Sequence, residues 1–330
     1  MDVRIESLRI VMKGVSLLFA STAAFLVFWQ GPAATQEILK IAVPQRGAWD
    51  TSITEIGNRA GIFKKHSVNV ELLFTGGGAE ALGAIIGESI DVAVSVGVST
   101  VLGSYSKGAP VRVFSSETTG QPDIYWFVPF KSPIHSVADF KDRTIGYSVS
   151  GSSSHAALLA LLAQEKITAK PTSTGGVTPS FTSGMTGQVD VAWTTIPIGL
   201  KEIDEGKIRP VAWASDVVTL QNRTVRVNIT NARTMEARKA VLDRYMTAYR
   251  ETIEYMYSSP EALMFFAEIA NVPTSVAQRI PERIPRGALS PDQIVGMDAI
   301  MAEAIATKFI SAPLTKEQIA DLVRMSIPPK

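Results

Sequence analysis

Val68-Asn69-Val70-Glu71-Leu72-Leu73-Phe74 runs through Thr75 into Gly76-Gly77-Gly78, and an apolar-periodic stretch follows over residues 79–87. A β-branched run, a glycine loop and a helical period in that order predict one strand–loop–helix unit. The same unit recurs on either side. Upstream, Ile38-Leu39-Lys40-Ile41-Ala42-Val43-Pro44 reads as a buried strand, and Ser52-Ile53-Thr54-Glu55 as a capping box opening a helix that runs to about Arg59. Downstream come a strand over residues 91–96, a helix near 98–106 and a strand over 111–116. A βαβαβαβ series predicts a mostly parallel sheet with right-handed crossovers. In open sheets of this kind ligands bind outside the carboxyl ends of the strands.

Ile124-Tyr125-Trp126-Phe127-Val128-Pro129 reads as a crossing segment, because a second, smaller α/β series follows. Its strands are expected at 144–148, 189–193 and 208–214, with helices at 152–164, 179–186 and 197–205. From about Arg233 the pattern is helical. Leu242, Tyr245, Met246, Tyr249, Ile253 and Met256 fall at three- and four-residue spacing, which is core packing rather than a cofactor box. Ser259-Pro260, Ser290-Pro291-Asp292-Gln293 and Thr315-Lys316-Glu317-Gln318 read as helix starts. The expected division is a first lobe of residues 36–129 and 226–330, carrying the C-terminal helices, and a second lobe of residues 130–225. The C-terminal helices are expected to pack mainly on the first lobe and to reach across the hinge.

Within the second series, Val137-Ala138-Asp139-Phe140-Lys141-Asp142-Arg143 precedes the run Thr144-Ile145-Gly146-Tyr147, and Ser150-Gly151-Ser152-Ser153-Ser154-His155 opens an apolar helix. A strand thus delivers several hydroxyls to a helix mouth, where unpaired N–H groups and a partial positive charge favour a small anion. Capping alone accounts for one of these serines.

Residues 1–35 read as a bacterial Sec signal peptide: Arg4, Arg9 and Lys13 form a basic start, residues 15–29 an uncharged apolar run, and Pro32-Ala33-Ala34 a small-residue exit. Retention as a membrane anchor is the alternative. Without these residues the chain carries 29 basic and 29 acidic side chains, and it has no basic stripe, so no nucleic-acid partner is expected. There is no cysteine, which excludes disulfides, thiolate metal sites and lipid attachment to a mature N-terminal cysteine.

Catalysis finds little support in the residues. His66, His135 and His155 are far apart and lack metal-ligand spacing. Ser152 and His155 share one helical turn without a Gly-x-Ser-x-Gly elbow, and the glycines of residues 76–83 do not fit a dinucleotide fingerprint. No enzyme, metal or cofactor is expected.

Five blocks in register carry a resemblance. They are Ala60-Gly61-Ile62-Phe63-Lys64-Lys65-His66-Ser67-Val68-Asn69-Val70-Glu71, Gly76-Gly77-Gly78, the stretch from Val137 to Gly146, Gly151-Ser152-Ser153-Ser154, and Gly187-Gln188-Val189-Asp190-Val191-Ala192-Trp193. Over nearly all of the chain after the leader they resemble the nitrate, aliphatic sulfonate and taurine binding proteins of ABC importers. The resemblance implies a type II periplasmic binding protein fold, with two α/β lobes joined by two crossing segments and a ligand cleft between them. It implies a periplasmic receptor that delivers a small anion (sulfonate, carboxylate or nitrate-like) to an ABC transporter permease in the inner membrane. The cleft is then expected at Arg46 and Trp49 in the loop of residues 45–50, at Gly77 and Gly78, at Ser99 and Thr100, at Ser152, Ser153 and Ser154, and at Trp193 and Thr194. Arg46 is either a fork for an oxyanion or a solvated loop charge, and Trp49 either a ligand wall or core. Where relatives continue with an acidic-Pro-aromatic ending, this chain has Ile196-Pro197-Ile198, which removes a partner for a ligand amine such as that of taurine. Three alternatives stay open: a membrane-tethered solute sensor, a receptor for a pyrimidine or aromatic precursor, and a hydrolase on the same fold.

Overall fold

The computed structural model describes residues 37–326. The expected leader lies outside them. The first lobe begins with β1 (Glu37–Pro44), α1 (Ile53–Arg59), α2 (Ile62–Lys65), β2 (Val68–Thr75), α3 (Gly78–Ile86), β3 (Val92–Gly97), α4 (Val98–Tyr105) and β4 (Val111–Thr119). The chain then crosses through residues 120–123 into β5 (Ile124–Pro129), β6 (Thr144–Tyr147), α5 (Ser153–Glu165), β7 (Lys170–Ser173), α6 (Val177–Met185), β8 (Ala192–Thr195), α7 (Leu200–Asp204) and β9 (Ile208–Trp213). It returns as β10 (Thr224–Asn231), and the helices α8 (Ala232–Ala237), α9 (Lys239–Ser258), α10 (Pro260–Ala270), α11 (Thr274–Ala277), α12 (Ile280–Arg283), α13 (Met297–Ala306) and α14 (Lys316–Leu322) follow.

The first sheet has the order β2-β1-β3-β10-β4. Strand β1 pairs in parallel with β2 and β3, as the alternating pattern predicts, while β10 inserts antiparallel between β3 and β4. The second lobe repeats the plan. Strands β6 and β7 pair in parallel, a bridge from Ile145 to Val191 links β6 to the approach of β8, and β5 lies antiparallel between β8 and β9. In each lobe the strand that has just arrived from the other half is thus the antiparallel one. The segment expected to cross, Ile124–Pro129, is therefore the middle strand of the second sheet, and the crossing itself is shorter and earlier.

Alternation along the strands of the first sheet loads both faces. Leu39, Ile41, Val43, Val92, Val94 and Phe114 face a core built with α1, α9 and α10, whereas Ala42, Ala93, Val96, Val111, Val113, Val227 and Ile229 face a second core with α3, α4 and α13. A third core fills the inner side of the second lobe around Trp126, Phe140, Leu158 and Trp193.

Local signals held unequally. Thr315 and Gln318 form the expected capping box. Ser52 does not cap α1: its backbone is already helical and its hydroxyl donates to Ala48 O at 2.6 Å, while Glu55 turns to Arg46 and Arg59. Residues 290–293 start no helix, because Ser290 and Pro291 bond to Glu117 and Ser116 of β4, and α13 begins at Met297. No helix among the described residues is long and apolar enough to cross a membrane.

Candidate functional site

The carboxyl ends of the parallel strands and the starts of β5 and β10 meet at the junction of the lobes. A cavity of about 30 Å³ lies there, with Gln45, Gly78, Ser95, Gly97, Thr100 and Arg226 on the first-lobe side and Ile124, Ser148, Ser152, Ser153, Ser154 and Trp193 on the other. Three helix starts converge on it: Gly78 and Ala79 of α3, Gly97 before α4, and Ser152 to Ser154 at α5. First-turn N–H groups and the aligned peptide dipoles make each of these ends favourable for negative charge. An outer chamber of about 280 Å³ adjoins through Gln45 and is lined by Arg46, Thr75, Gly76, Thr195 and the start of α6 at Gly176, Val177 and Thr178. A smaller inner recess holds Ser99, Gln121 and Arg223 beside Ser152 and Ser153.

The three serines have separate tasks. Ser152 caps α5, its Oγ accepting the His155 N–H at 3.2 Å, and lies 3.0 Å from Ser154 Oγ. Ser154 Oγ accepts the Ser148 N–H at 3.0 Å, and Ser153 Oγ accepts from Arg226 Nε at 3.2 Å. His155 is no base for this turn: its Nδ1 accepts the Gly151 N–H at 3.2 Å, its ring stacks on Tyr147 at 4.2 Å, and burial holds its pKa below the ordinary histidine value. Thr100 Oγ1 ties the lobes by donating to Gly151 O at 2.6 Å.

Arg226 is the centre of the first-lobe wall. It is 6% exposed, and it donates to Asp50 Oδ2 at 2.8 Å and to Asp123 Oδ2 at 2.9 Å. Ser95 Oγ also donates to Asp50 Oδ2 at 2.8 Å, and Thr195 Oγ1 to Asp123 Oδ2 at 2.8 Å. Burial works against the guanidinium's charge, but the attraction of Asp123 and Asp50 exceeds it, so the pKa rises and Arg226 stays protonated. The wall holds backbone strain as well: Gln45, Ser95 and Gln121 have φ of 52°, 56° and 51°, a region that side chains with a Cβ seldom occupy. Gln121 is fully buried, with neither amide atom partnered among the described residues.

Of the residues expected at the cleft, Gly78, Thr100, Ser152, Ser153, Ser154 and Trp193 line the cavity and Ser99 the inner recess. Arg46 lines the outer chamber, half exposed and paired with Glu55 at 2.7 Å. Gly77 precedes α3 without reaching the cavity wall, and Thr194 is buried behind Trp193 with its hydroxyl unpartnered among the described residues. Trp49 is fully buried in the first-lobe core, edge-on to Phe266 at 4.8 Å and donating to the Tyr257 hydroxyl at 3.0 Å. Arg226, Ser95, Asp123 and Gln121 went unread in the sequence. The one signal for Arg226 is the alternation Val225-Arg226-Val227-Asn228-Ile229, whose polar positions read as solvent-facing and are buried.

The family model described as NMT1/THI5 like matches residues 55–263. The chain belongs to this NMT1/THI5-like family. No curated protein matches it by sequence. Among solved structures, this NMT1/THI5-like chain is similar to the alkanesulfonate-binding protein SsuA of Xanthomonas axonopodis pv. citri bound to MOPS, at 19% identity and a TM-score of 0.74, with 87% of this chain and 98% of that one covered. It is similar also to the periplasmic aliphatic sulphonate binding protein SsuA of Escherichia coli (19% identity, TM-score 0.69, 86% and 91% covered). A third is the periplasmic nitrate-binding protein NrtA of Synechocystis PCC 6803 (12% identity, TM-score 0.67, 87% and 86% covered). These likenesses establish the two-lobed periplasmic binding protein fold.

Proposed function

We propose that the chain is an extracytoplasmic solute receptor, which closes its two lobes on a small anion and delivers it to an ABC-type permease in the inner membrane. One observation carries the reading: three helix starts and a buried, protonated arginine converge on a single cavity between the lobes. N–H and guanidinium donors arriving from both lobes give an oxyanion more contacts when the cleft is shut than when it is open, and that difference in affinity is what drives closure. The sulfonate and nitrate ligands named for proteins of the same fold agree with this, and the expected leader fits an extracytoplasmic site.

Titration calorimetry with ethanesulfonate, nitrate and benzoate tests it. At least one is expected to bind, and at about one hundred times its Kd to add roughly 2.7 kcal/mol of stability. Uptake of that anion by cells lacking the gene should fall. Binding of none of these anions, with a thermal shift from a pyrimidine instead, would replace this reading with the pyrimidine-precursor one.

A further inference from the structure

Two carboxylates hold the Arg226 guanidinium at the cavity wall, and a third carboxyl group lies on the neighbouring strand, beside the Thr118 that pairs with Arg226. Asp50 and Asp123 bond to Arg226 directly. The third, Glu117 of β4, is 1% exposed and accepts the Tyr249 hydroxyl on Oε1 at 2.8 Å, while its Oε2 has no hydrogen-bond partner among the described residues at ordinary bonding distance. Against it stand Asp50 from the loop after β1, Ser95 from β3, Arg226 from β10, and Tyr245 and Tyr249 from α9. Arg226 alone among these is positive, and its charge is already shared by two aspartates. A further buried carboxylate would have no cation of its own, which protein interiors avoid by keeping the acid neutral. Burial, and next the repulsion of Asp50, accordingly push the Glu117 pKa up to about 8.

We infer that the cleft takes up its anion together with a proton held on Glu117, whose neutral form keeps the cluster of Arg226, Asp50 and Asp123 at one net negative charge rather than two beside the anion held by the helix starts. This rests on the anion-receptor reading. The sign follows from linkage: an anion beside the cluster makes ionised Glu117 still less favourable, so binding favours the proton, and the proton favours binding by the same factor. Affinity should be level where Glu117 is already neutral and should fall once the pH passes about 8.

The test is calorimetry with whichever of ethanesulfonate, nitrate and benzoate binds most tightly, from about pH 6.5 to 9.5. Kd is expected to rise toward roughly tenfold per pH unit at the alkaline end. Binding heats in buffers of different ionisation enthalpy should there report close to one proton taken up per anion. Glu117→Gln, which retains an acceptor for Tyr249, should flatten both profiles. Should that variant not fold, the proton count on the unaltered protein decides alone. An anion that binds with a level Kd and no proton uptake overturns the inference and leaves the receptor reading intact. Proton release on binding overturns it too. If no anion binds, the receptor reading fails and the inference with it.

Discussion

Gln121 illustrates how much of the site is decided residue by residue. Its left-handed backbone costs about 1–2 kcal/mol, and its buried amide, unpartnered among the described residues, about 1–3 kcal/mol, against roughly 0.4–1 kcal/mol for the extra freedom a glycine brings to the unfolded chain. Gln121→Gly is therefore expected to stabilise the ligand-free protein by at least about 1 kcal/mol, read as a higher urea midpoint at constant slope. If the strain serves the ligand, the same variant binds its anion at least several-fold more weakly. A gain in stability with unchanged affinity would make Gln121 a hinge residue only. Legibility at this scale follows sequence distance. The serine turn could be read because its donors are consecutive, whereas Arg226 and Asp50 lie 176 positions apart and nothing local ties them. Trp49 has the same surroundings in sequence as a ligand-wall tryptophan, and the packing of α9 and α10 on it makes it core.

At the scale of elements, the parallel half of the first sheet was legible and the antiparallel strand was not. Strand β10 alternates Val, Ile and Thr with Arg and Asn, the pattern of a half-exposed strand, yet every residue in it is buried because the apolar face meets α4 and α13 and the polar face meets the Asp50 cluster. Capping boxes show the same dependence on context. Ser52 follows a turn that already bonds its N–H to Ala48 O, so Glu55 has no free N–H to reach back to, and the Ser52 hydroxyl donates to Ala48 O instead of accepting from the first turn, whereas Thr315 follows an open segment and accepts the Gln318 N–H at 3.2 Å. Thr315→Ala should cost about 1 kcal/mol in chemical denaturation, through α14, whose Leu322 is buried in the second core. An unchanged midpoint would mean that α14 is held by Leu322 and by the Val323 bridge to β4 without need of its cap.

The whole molecule joins its lobes on two sides. At the cleft, Thr100 bonds Gly151 and Arg226 bonds Ser153. Away from it, Arg279 pairs with Asp204 at 2.7 Å and Arg283 lies 3.6 Å above the Trp213 ring, so α12 spans from the first-lobe core to α7 and β9. Backbones of the two lobes meet ahead of α6: a Cβ on Gly176 would stand 2.9 Å from the backbone oxygen of Gly76, which has no side-chain freedom to give way. With φ at −68°, alanine fits the conformation of residue 176 and fails only on that contact. Gly176→Ala should therefore hold the lobes apart, enlarge the radius of gyration of the anion-loaded protein in solution scattering, and weaken anion binding at least tenfold. Its effect on ligand-free stability should stay near the 0.5–1 kcal/mol by which alanine is the poorer N-cap. Gly83→Ala in α3 is the matching control, since a Cβ there meets nothing within 4 Å and should leave affinity and scattering unchanged. If Gly176→Ala binds as the unaltered protein does, the loop before α6 yields to the methyl group, and contact between residues 76 and 176 does not set how far the cleft can close.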